Sequence, residues 1–183
     1  AFFAPVVMSL VVISILWLYL LNPNNGLLNA LLEKVGIAKQ PFLTSPKQAM
    51  YAIVFVSAWQ GAGYQMLLLL GGLQNIPQDV YEAAEIDGVS KWNQFRYITM
   101  PLLKPTALFV LLTTLISAFK LLVQPMVMTQ GGPANSTITM VYYIYRKGFT
   151  DRLVGYSSSI ALVFTTLIGV ISLVQRRVLK EDE

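Results

Sequence analysis

The sequence predicts an all-α membrane protein, a polytopic bundle of transmembrane helices, and three observations support this prediction. Of the 183 residues, 55% are hydrophobic. Only 12% are charged, whereas ~25% is usual for a soluble domain. Four apolar stretches are each long enough to cross a bilayer, which takes ~20 helical residues. Because one soluble core could hardly bury so much apolar surface, we expect a single transmembrane domain over residues 1–183.

The four predicted spans share one property, which is that none of them contains an acidic residue. They cover about residues 1–21, 48–70, 102–123 and 154–174. Lys104 and Lys120 are the only basic residues within or at the ends of these runs. We expect both to lie close enough to a helix end for the ammonium group to reach the membrane interface.

The first and third connectors carry turn signals followed by short helices. Residues 22–26 form a turn cluster that leads into an amphipathic helix over residues 27–35, with Gly36 at its carboxyl end. Residues 129–133, Thr-Gln-Gly-Gly-Pro, are a strong turn signal. Residues 138–149 are apolar and aromatic at helical spacing, so we expect a helix that lies along the membrane surface.

The second connector, residues 71–101, is polar and helix-competent, and we call it the polar loop. Pro77 fits the first turn of a helix, and acidic residues follow it every three positions. Gly88 is expected to end this helix in a left-handed conformation. Ser90 is a suitable N-cap for a second helix, which Pro101 is expected to end. The pattern predicts a bent pair of helices at a membrane face.

Several function classes are excluded by residues that the chain lacks. It has no cysteine and no histidine, which removes thiolate and imidazole catalysis and Cys/His metal sites. It also has no Walker-type phosphate loop, so we expect no ATP hydrolysis, no catalytic residues, no metal and no cofactor. The basic residues are scattered, and the net charge is only +4, so nucleic acid is not an expected partner.

The polar loop resembles the EAA loop of bacterial ABC-transporter permeases. Glu82-Ala83-Ala84, Gly88, Ile98 and Pro101 stand at the spacing of that motif. Met100 replaces the usual Leu, which is close to a volume-conserving exchange. The resemblance implies that the loop docks on the transporter's ATPase. The implied coupling residues are Glu82, Ala83, Ala84, Glu85, Asp87, Gly88, Ile98 and Pro101. Glu82 is the expected charge contact, Ala83 and Ala84 allow close packing, and Gly88 makes the bend.

Residues 22–29, 72–77 and 129–133 extend the resemblance over nearly the whole chain, toward the maltose-type sugar permeases. That group includes multiple-sugar and glycerol-phosphate permeases. The chain departs from it at Leu121-Leu122, where Phe-Asp is frequent. The resemblance implies two ABC ATPase subunits, a second permease and an extracytoplasmic solute-binding protein as partners. It also implies a lipid-embedded, multi-pass protein of the bacterial cytoplasmic membrane with six or more spans. This chain, which we expect to lack the N-terminal part, would hold the last four.

The resemblance also places the polar loop in the cytoplasm. Charge alone does not decide this, because six basic residues lie on one side of the predicted spans and seven on the other. The expected function is import of a sugar or related solute. Alternatives are another solute, such as glycerol phosphate, or a membrane scaffold or sensor that transports nothing.

A solute path needs polar groups within the apolar helices, because such groups avoid lipid. Trp59, Gln60, Tyr64 and Gln65 of the second span and Ser117 of the third are the candidate path residues. For the hydroxyl side chains of the spans, the alternative role is helix–helix packing. The mid-span regions are expected to carry no basic residue, which favours a neutral solute over a phosphate.

Overall fold

The computed structural model describes residues 3–180, with the side chains of all of them except 176 and 178–180. This part of the chain is built from helices and turns and contains no strand. The α-helices are α1 Ala4–Val7, α2 Leu10–Leu20, α3 Leu27–Lys34, α4 Ala49–Gln74, α5 Gln78–Ile86, α6 Lys91–Gln94, α7 Met100–Phe119, α8 Val123–Met128, α9 Met140–Tyr145 and α10 Val154–Lys180. A 3-10 turn covers Phe42–Thr44, and π-helical segments cover Phe95–Thr99 and Arg146–Thr150.

Three helical runs in the described residues are long and apolar enough to cross a membrane. They are Ala49–Gln74, Lys91–Met128 and Val154–Gln175, which confirms the predicted bundle of transmembrane helices. The second run includes α6, α7 and α8, so it extends beyond the predicted third span at both ends.

In the residues described, the predicted first span is divided into two helices; residues 1 and 2 lie outside the described part. Met8 and Ser9 are extended, with ψ of 146° and 133°, and separate α1 from α2. The 11 residues of α2 reach only ~16 Å, about half of the hydrocarbon thickness. Hydropathy shows that a run is apolar and does not show that its backbone changes direction within it.

The buried core lies where α2, α4 and α8 meet. It consists of Ile13, Leu21, Leu43, Ile53, Val56 and Met128. The ring of Trp17 packs against this core and contacts Phe55 and Trp59 edge-on, with centroids 5.5 Å away in each case. Edge-to-face aromatic pairs of this kind add to the area that they bury. The core therefore holds α2 against the first half of α4.

Two contacts set the register between the antiparallel helices α4 and α7. A Cβ added at Gly72 would lie 2.6 Å from Thr106 Oγ1, so the helices touch there through the glycine. Seven residues earlier in α4, Gln65 Nε2 donates a hydrogen bond to Thr114 Oγ1 over 2.8 Å. Small residues and interhelical hydrogen bonds are the usual means of helix association in membranes.

The connector after α8 folds back and forms a helical hairpin with α10. Ser157 Oγ donates to the Ile144 carbonyl over 2.8 Å, and Gly148 lies directly against the same serine. The ion pair between Lys147 and Asp151 (2.7 Å) precedes the turn. Residues 138–149 were expected to lie along the membrane surface, and in the structure this segment packs on the start of α10. Helical spacing predicts an apolar face but not which surface covers it.

The connector between α2 and α4 is organised by one buried asparagine. As expected, α3 is followed by a left-handed glycine, Gly36, with φ of 79°. Asn29 is 1% exposed. Its Nδ2 donates to the carbonyls of Pro23 and Gln40 over 3.0 and 2.9 Å, and its Oδ1 accepts from the Gln40 amide over 2.9 Å. One side chain thus ties both ends of the connector together.

Asn29→Ala is expected to loosen this connector. Each buried polar group left without its partner costs about 1–3 kcal/mol, so Gln40 should detach from α3. The bond between Lys39 and Gln40 should then be cut by trypsin several times faster in the intact protein, as followed by mass spectrometry. Asn25→Ala, at an exposed position, is the control; equal cleavage of the two variants would contradict the role of Asn29.

Candidate functional site

The polar loop is a pair of helices, as predicted, and its turn residues behave as expected. Pro77 is the N-cap residue of α5. Gly88 has φ of 75° and takes the left-handed conformation that L-residues with side chains rarely adopt. Ser90 Oγ accepts a hydrogen bond from the Asn93 amide over 3.4 Å at the start of α6. Local sequence signals therefore determine where both helices begin and where the first one ends.

One side of α5 packs against the second helix of the loop. Ala84 is 6% exposed, so its side chain lies on the inner side of α5. The hydroxyl groups of Tyr81 and Thr99 are 2.8 Å apart and share a hydrogen bond. Gln94, which is also buried, donates from Nε2 to the Val89 carbonyl over 3.2 Å. These contacts join α5 to the residues that lead into α7.

The opposite side of α5 faces outward. Glu82, Ala83, Glu85 and Asp87 are exposed. Ile86 is also on the surface, with 87% of its area exposed. Residues 79, 82, 83 and 86 share one helical face by their spacing. We call Glu82, Ala83 and Ile86 the outer face of the loop.

Ile86 was missed by the reasoning from sequence, although its spacing from Glu82 and Ala83 could have identified it. The two alanines of the motif are separated by the structure, because Ala83 is exposed and Ala84 is buried. Of these two alanines, only Ala83 is therefore available to a partner that docks on the outer face.

Pro101 does not end the second helix, and that expectation is wrong. The backbone passes from α6 through the π-helical Phe95–Thr99 into α7 without a break. Proline removes one backbone donor and crowds the preceding turn, and the wider π-turn is a common way to accommodate this. Ile98 is half-buried and Pro101 exposed at this junction. The second helix of the loop, α6, and α7 therefore form one continuous helix.

The candidate path residues of α4 lie along the middle of that helix. Trp59 and Tyr64 are 40% and 50% exposed, and Gln60 is half-buried. Gln65 is the one that reaches α7, through its hydrogen bond to Thr114. The structure therefore brings Gln65 into contact with the third predicted span and leaves both aromatic residues partly open.

The hydroxyl side chains of α7 mostly bond to their own helix. Ser117 Oγ donates to the Thr113 carbonyl over 2.8 Å and is exposed. Thr114 Oγ1 donates to the Val110 carbonyl over 2.7 Å and accepts from Gln65. Ser157, by contrast, packs against the α9 segment. Packing thus accounts for Ser157, whereas Ser117 remains open on the surface of α7.

Comparison with known proteins places the chain in a family. A family model described as the binding-protein-dependent transport system inner membrane component matches residues 2–180. The probable ABC transporter permease protein YurN of Bacillus subtilis (strain 168) is 37% identical over 181 residues, which are 98% of this chain and 62% of that protein. The lactose transport system permease protein LacF of Rhizobium radiobacter is 38% identical over 178 residues, 94% of this chain and 59% of LacF. For the sn-glycerol-3-phosphate transport system permease protein UgpA of Shigella flexneri, identity is 35% over 175 residues, 94% of this chain and 59% of UgpA.

Solved structures agree on the fold. A bacterial ABC transporter involved in the import of the acidic polysaccharide alginate matches with a TM-score of 0.83 and 24% identity, over 98% of this chain and 63% of that one. The alginate transporter in complex with an alginate pentasaccharide-bound periplasmic protein matches with a TM-score of 0.79 and 25% identity. This match covers 97% of this chain and 61% of that chain. The chain spans 59–62% of the length of the relatives named above. It belongs to the family of binding-protein-dependent transport system inner membrane components, and is a multi-pass protein of the inner membrane.

Proposed function

We propose that the intact protein is a permease subunit of an ABC importer for a sugar or a related hydroxyl-rich solute. The observation that carries the proposal is the polar loop, because it presents an exposed face and is joined to a transmembrane helix without a break. In this proposal the loop lies in the cytoplasm and docks on one of two ABC ATPase subunits. A second permease completes the path, and an extracytoplasmic binding protein delivers the solute.

The contacts of the loop suit it to transmit motion. A force on the outer face of α5 reaches the π-helical segment through the hydrogen bond between Tyr81 and Thr99. That segment continues into α7, and α7 is tied to α4 through Gln65 and Thr114. Packed helices with specific side-chain bonds move as units rather than deform. Closure of the ATPase pair would therefore tilt α7 and α4 together.

The coupling residues take distinct roles in this proposal. Glu82 offers a charge to a basic partner, while Ala83 and Ile86 supply a small and an apolar contact beside it. Ala84 acts within the loop by letting the two helices approach closely. Gly88 sets the bend between them, and Ile98 and Pro101 lie at the junction with α7.

The class of solute is supported by the named functions of the relatives. Their names refer to lactose, arabinooligosaccharides and sn-glycerol 3-phosphate. The solved importer carries alginate. These solutes all carry hydroxyl groups and differ in charge. Trp59 and Tyr64, with Gln60 nearby, offer the aromatic faces and hydrogen-bonding groups that sugars bind, which supports the same class.

Glu82→Lys is the test of the docking proposal. Reversing this exposed charge should weaken recovery of the ATPase with the tagged intact permease by about tenfold, because a buried charge pair at an interface is replaced by two like charges. Glu33→Lys, which makes the same exposed charge change in another connector, should leave recovery unchanged. Failure of any ABC ATPase to co-purify with the unaltered protein would favour a membrane scaffold or sensor instead.

A further inference from the structure

The third apolar run is interrupted within its length, between α7 and α8. Residues 120–122 leave the helix, and Leu122 has φ of −129°. The connector reaches back to this point, where Thr139 Oγ1 donates to the Leu121 carbonyl over 2.5 Å. Non-helical backbone at membrane depth is tolerated only where protein buries it or where it borders a water-filled cavity. This interruption carries Lys120, a cation.

The register of α4 and α7 shows how deep Lys120 lies. Gln65 is level with Thr114, and α4 and α7 run in opposite directions. Trp59, six residues before Gln65, is therefore level with Lys120, six residues after Thr114. Trp59 is ten residues from the start of α4 at Ala49, or ~15 Å along the axis. On the other side, Gly72 is ~20 Å away. Both distances exceed the length of a lysine side chain, so Lys120 lies level with the middle part of α4 and not with either of its ends.

Lys120 shares a polar face with two hydroxyl residues of α7. Thr114, Ser117 and Lys120 follow one another at intervals of three residues, and all three are exposed. Residues at this spacing lie on one side of a helix. Gln65 of α4 joins this face at Thr114. We call Gln65, Thr114, Ser117 and Lys120 the polar seam.

No carboxylate of the described residues balances the charge of Lys120 within the spans. Every acidic residue between positions 3 and 180 lies in a connector. The ion pairs shown for these residues join Lys39 to Glu33 and Lys147 to Asp151. A lysine at mid-membrane is costly in lipid, by ~2.5–3.5 kcal/mol on insertion scales, so such residues face a bundle interior or a water-filled cavity.

We propose that Lys120 is the residue that selects for charge in the solute path, and that the solute is a hydroxyl-rich molecule with a carboxylate or phosphate group. The proposal rests on the proposed importer function and replaces the expectation of a neutral solute, which assumed that the mid-span regions carry no basic residue. The ammonium group of Lys120 binds the anionic group of the solute. Ser117 and Gln65 lie along the same seam and bind hydroxyl groups.

A thiol-reactivity experiment tests the site without knowledge of the solute. The chain has no cysteine, so Ser117→Cys can be probed in the intact transporter in proteoliposomes, in a cysteine-free background. The reagents are a sulfonate-bearing and a quaternary-ammonium methanethiosulfonate. With Lys120 present, we expect the ratio of anionic to cationic modification rates to exceed that in Lys120→Gln by at least ~5-fold. Lys120→Arg should keep the ratio within about twofold.

The control is Leu162→Cys on α10. Leu162 is 70% exposed and apolar, and it lies close to the level of Phe119, whose ring contacts Phe164 with centroids 6.1 Å apart. We expect the thiol of this control variant to react slowly with both reagents, since lipid excludes thiolates. An unreactive thiol in the Ser117→Cys variant, or a ratio that Lys120→Gln leaves unchanged, would overturn the proposal.

Uptake measurements identify the anionic group. The probes are a uronate oligosaccharide, glycerol 3-phosphate and a neutral oligosaccharide. Lys120→Gln should lower uptake of the carboxylate or of the phosphate at least ~10-fold, which assigns the group, and Lys120→Arg should retain most of it. Import of the neutral probe alone would overturn the charge assignment while leaving the importer function intact. Loss of the importer function itself would appear separately, as failure of the ATPase to co-purify with unaltered protein.

Discussion

Gly88→Val is expected to lower ATP-driven uptake by the intact transporter at least tenfold while the amount of permease in the membrane stays normal. Gly88 has φ of 75°, and a Cβ at this position would meet nothing within 4 Å. The effect is therefore one of backbone conformation and not of collision. A β-branched residue held in this conformation costs about 1–3 kcal/mol. The loop can relieve this strain by changing the angle between α5 and α6, which moves the outer face away from the proposed ATPase partner.

Two controls separate this mechanism from a general loss of stability. Gly88→Asn should retain most of the uptake, because asparagine tolerates left-handed φ better than other side chains. Gly71→Val places the same side chain at a helical glycine where a Cβ also meets nothing within 4 Å. ATP hydrolysis measured beside uptake shows whether the two processes are uncoupled. Wild-type uptake by Gly88→Val would argue against the loop as the element that transmits motion.

Gly72→Val is expected to have the largest effect on the stability of the transmembrane bundle. A Cβ at Gly72 would lie 2.6 Å from Thr106 Oγ1, 2.7 Å from its Cγ2 and 2.8 Å from its Cβ. Because the clash includes the Cβ, a rotation of the threonine side chain cannot remove it, and α4 and α7 must separate. Overpacking of this kind costs about 1–3 kcal/mol.

Thermal unfolding of the purified transporter measures this cost. We expect a midpoint lowered by roughly 5 °C for Gly72→Val, together with weakening of the hydrogen bond between Gln65 and Thr114 two turns away. Gly71→Val is the matched control one residue earlier in the same helix, where the space is open. Equal midpoints for the two variants would show that α4 and α7 do not meet at Gly72.

In the polar loop, some features follow from the local sequence and others depend on the surrounding fold. A glycine that must adopt positive φ and a serine that caps a helix act through their own neighbours in sequence, so Gly88 and Ser90 could be assigned from the sequence. Pro101 was misjudged because its effect depends on the turn before it, and a π-helical turn replaced the expected end. The burial of Ala84 beside the exposed Ala83 depends on tertiary packing, which the sequence of α5 does not contain.

For the membrane spans, the limit lies in what hydropathy can predict. Hydropathy is a property of a run of residues, and it correctly predicted that the chain is a bundle of membrane helices. It does not report backbone direction, so the extended Met8 and Ser9 and the interruption at residues 120–122 were not foreseen. The hairpin of α9 on α10 was not predicted either, because an apolar helical face packs equally well on lipid and on another helix.

The class of protein, the bounds of the apolar runs and the turn residues of the polar loop could be predicted, because they follow from composition and from interactions between near neighbours. The depth of Lys120 along the helix axes, by contrast, does not follow from its neighbours in the sequence. That depth depends on the register of α4 against α7, which contacts between residues 49 positions apart establish. The same lysine therefore counts as a residue near the end of a span in the sequence, and in the fold as an exposed cation level with the middle part of α4.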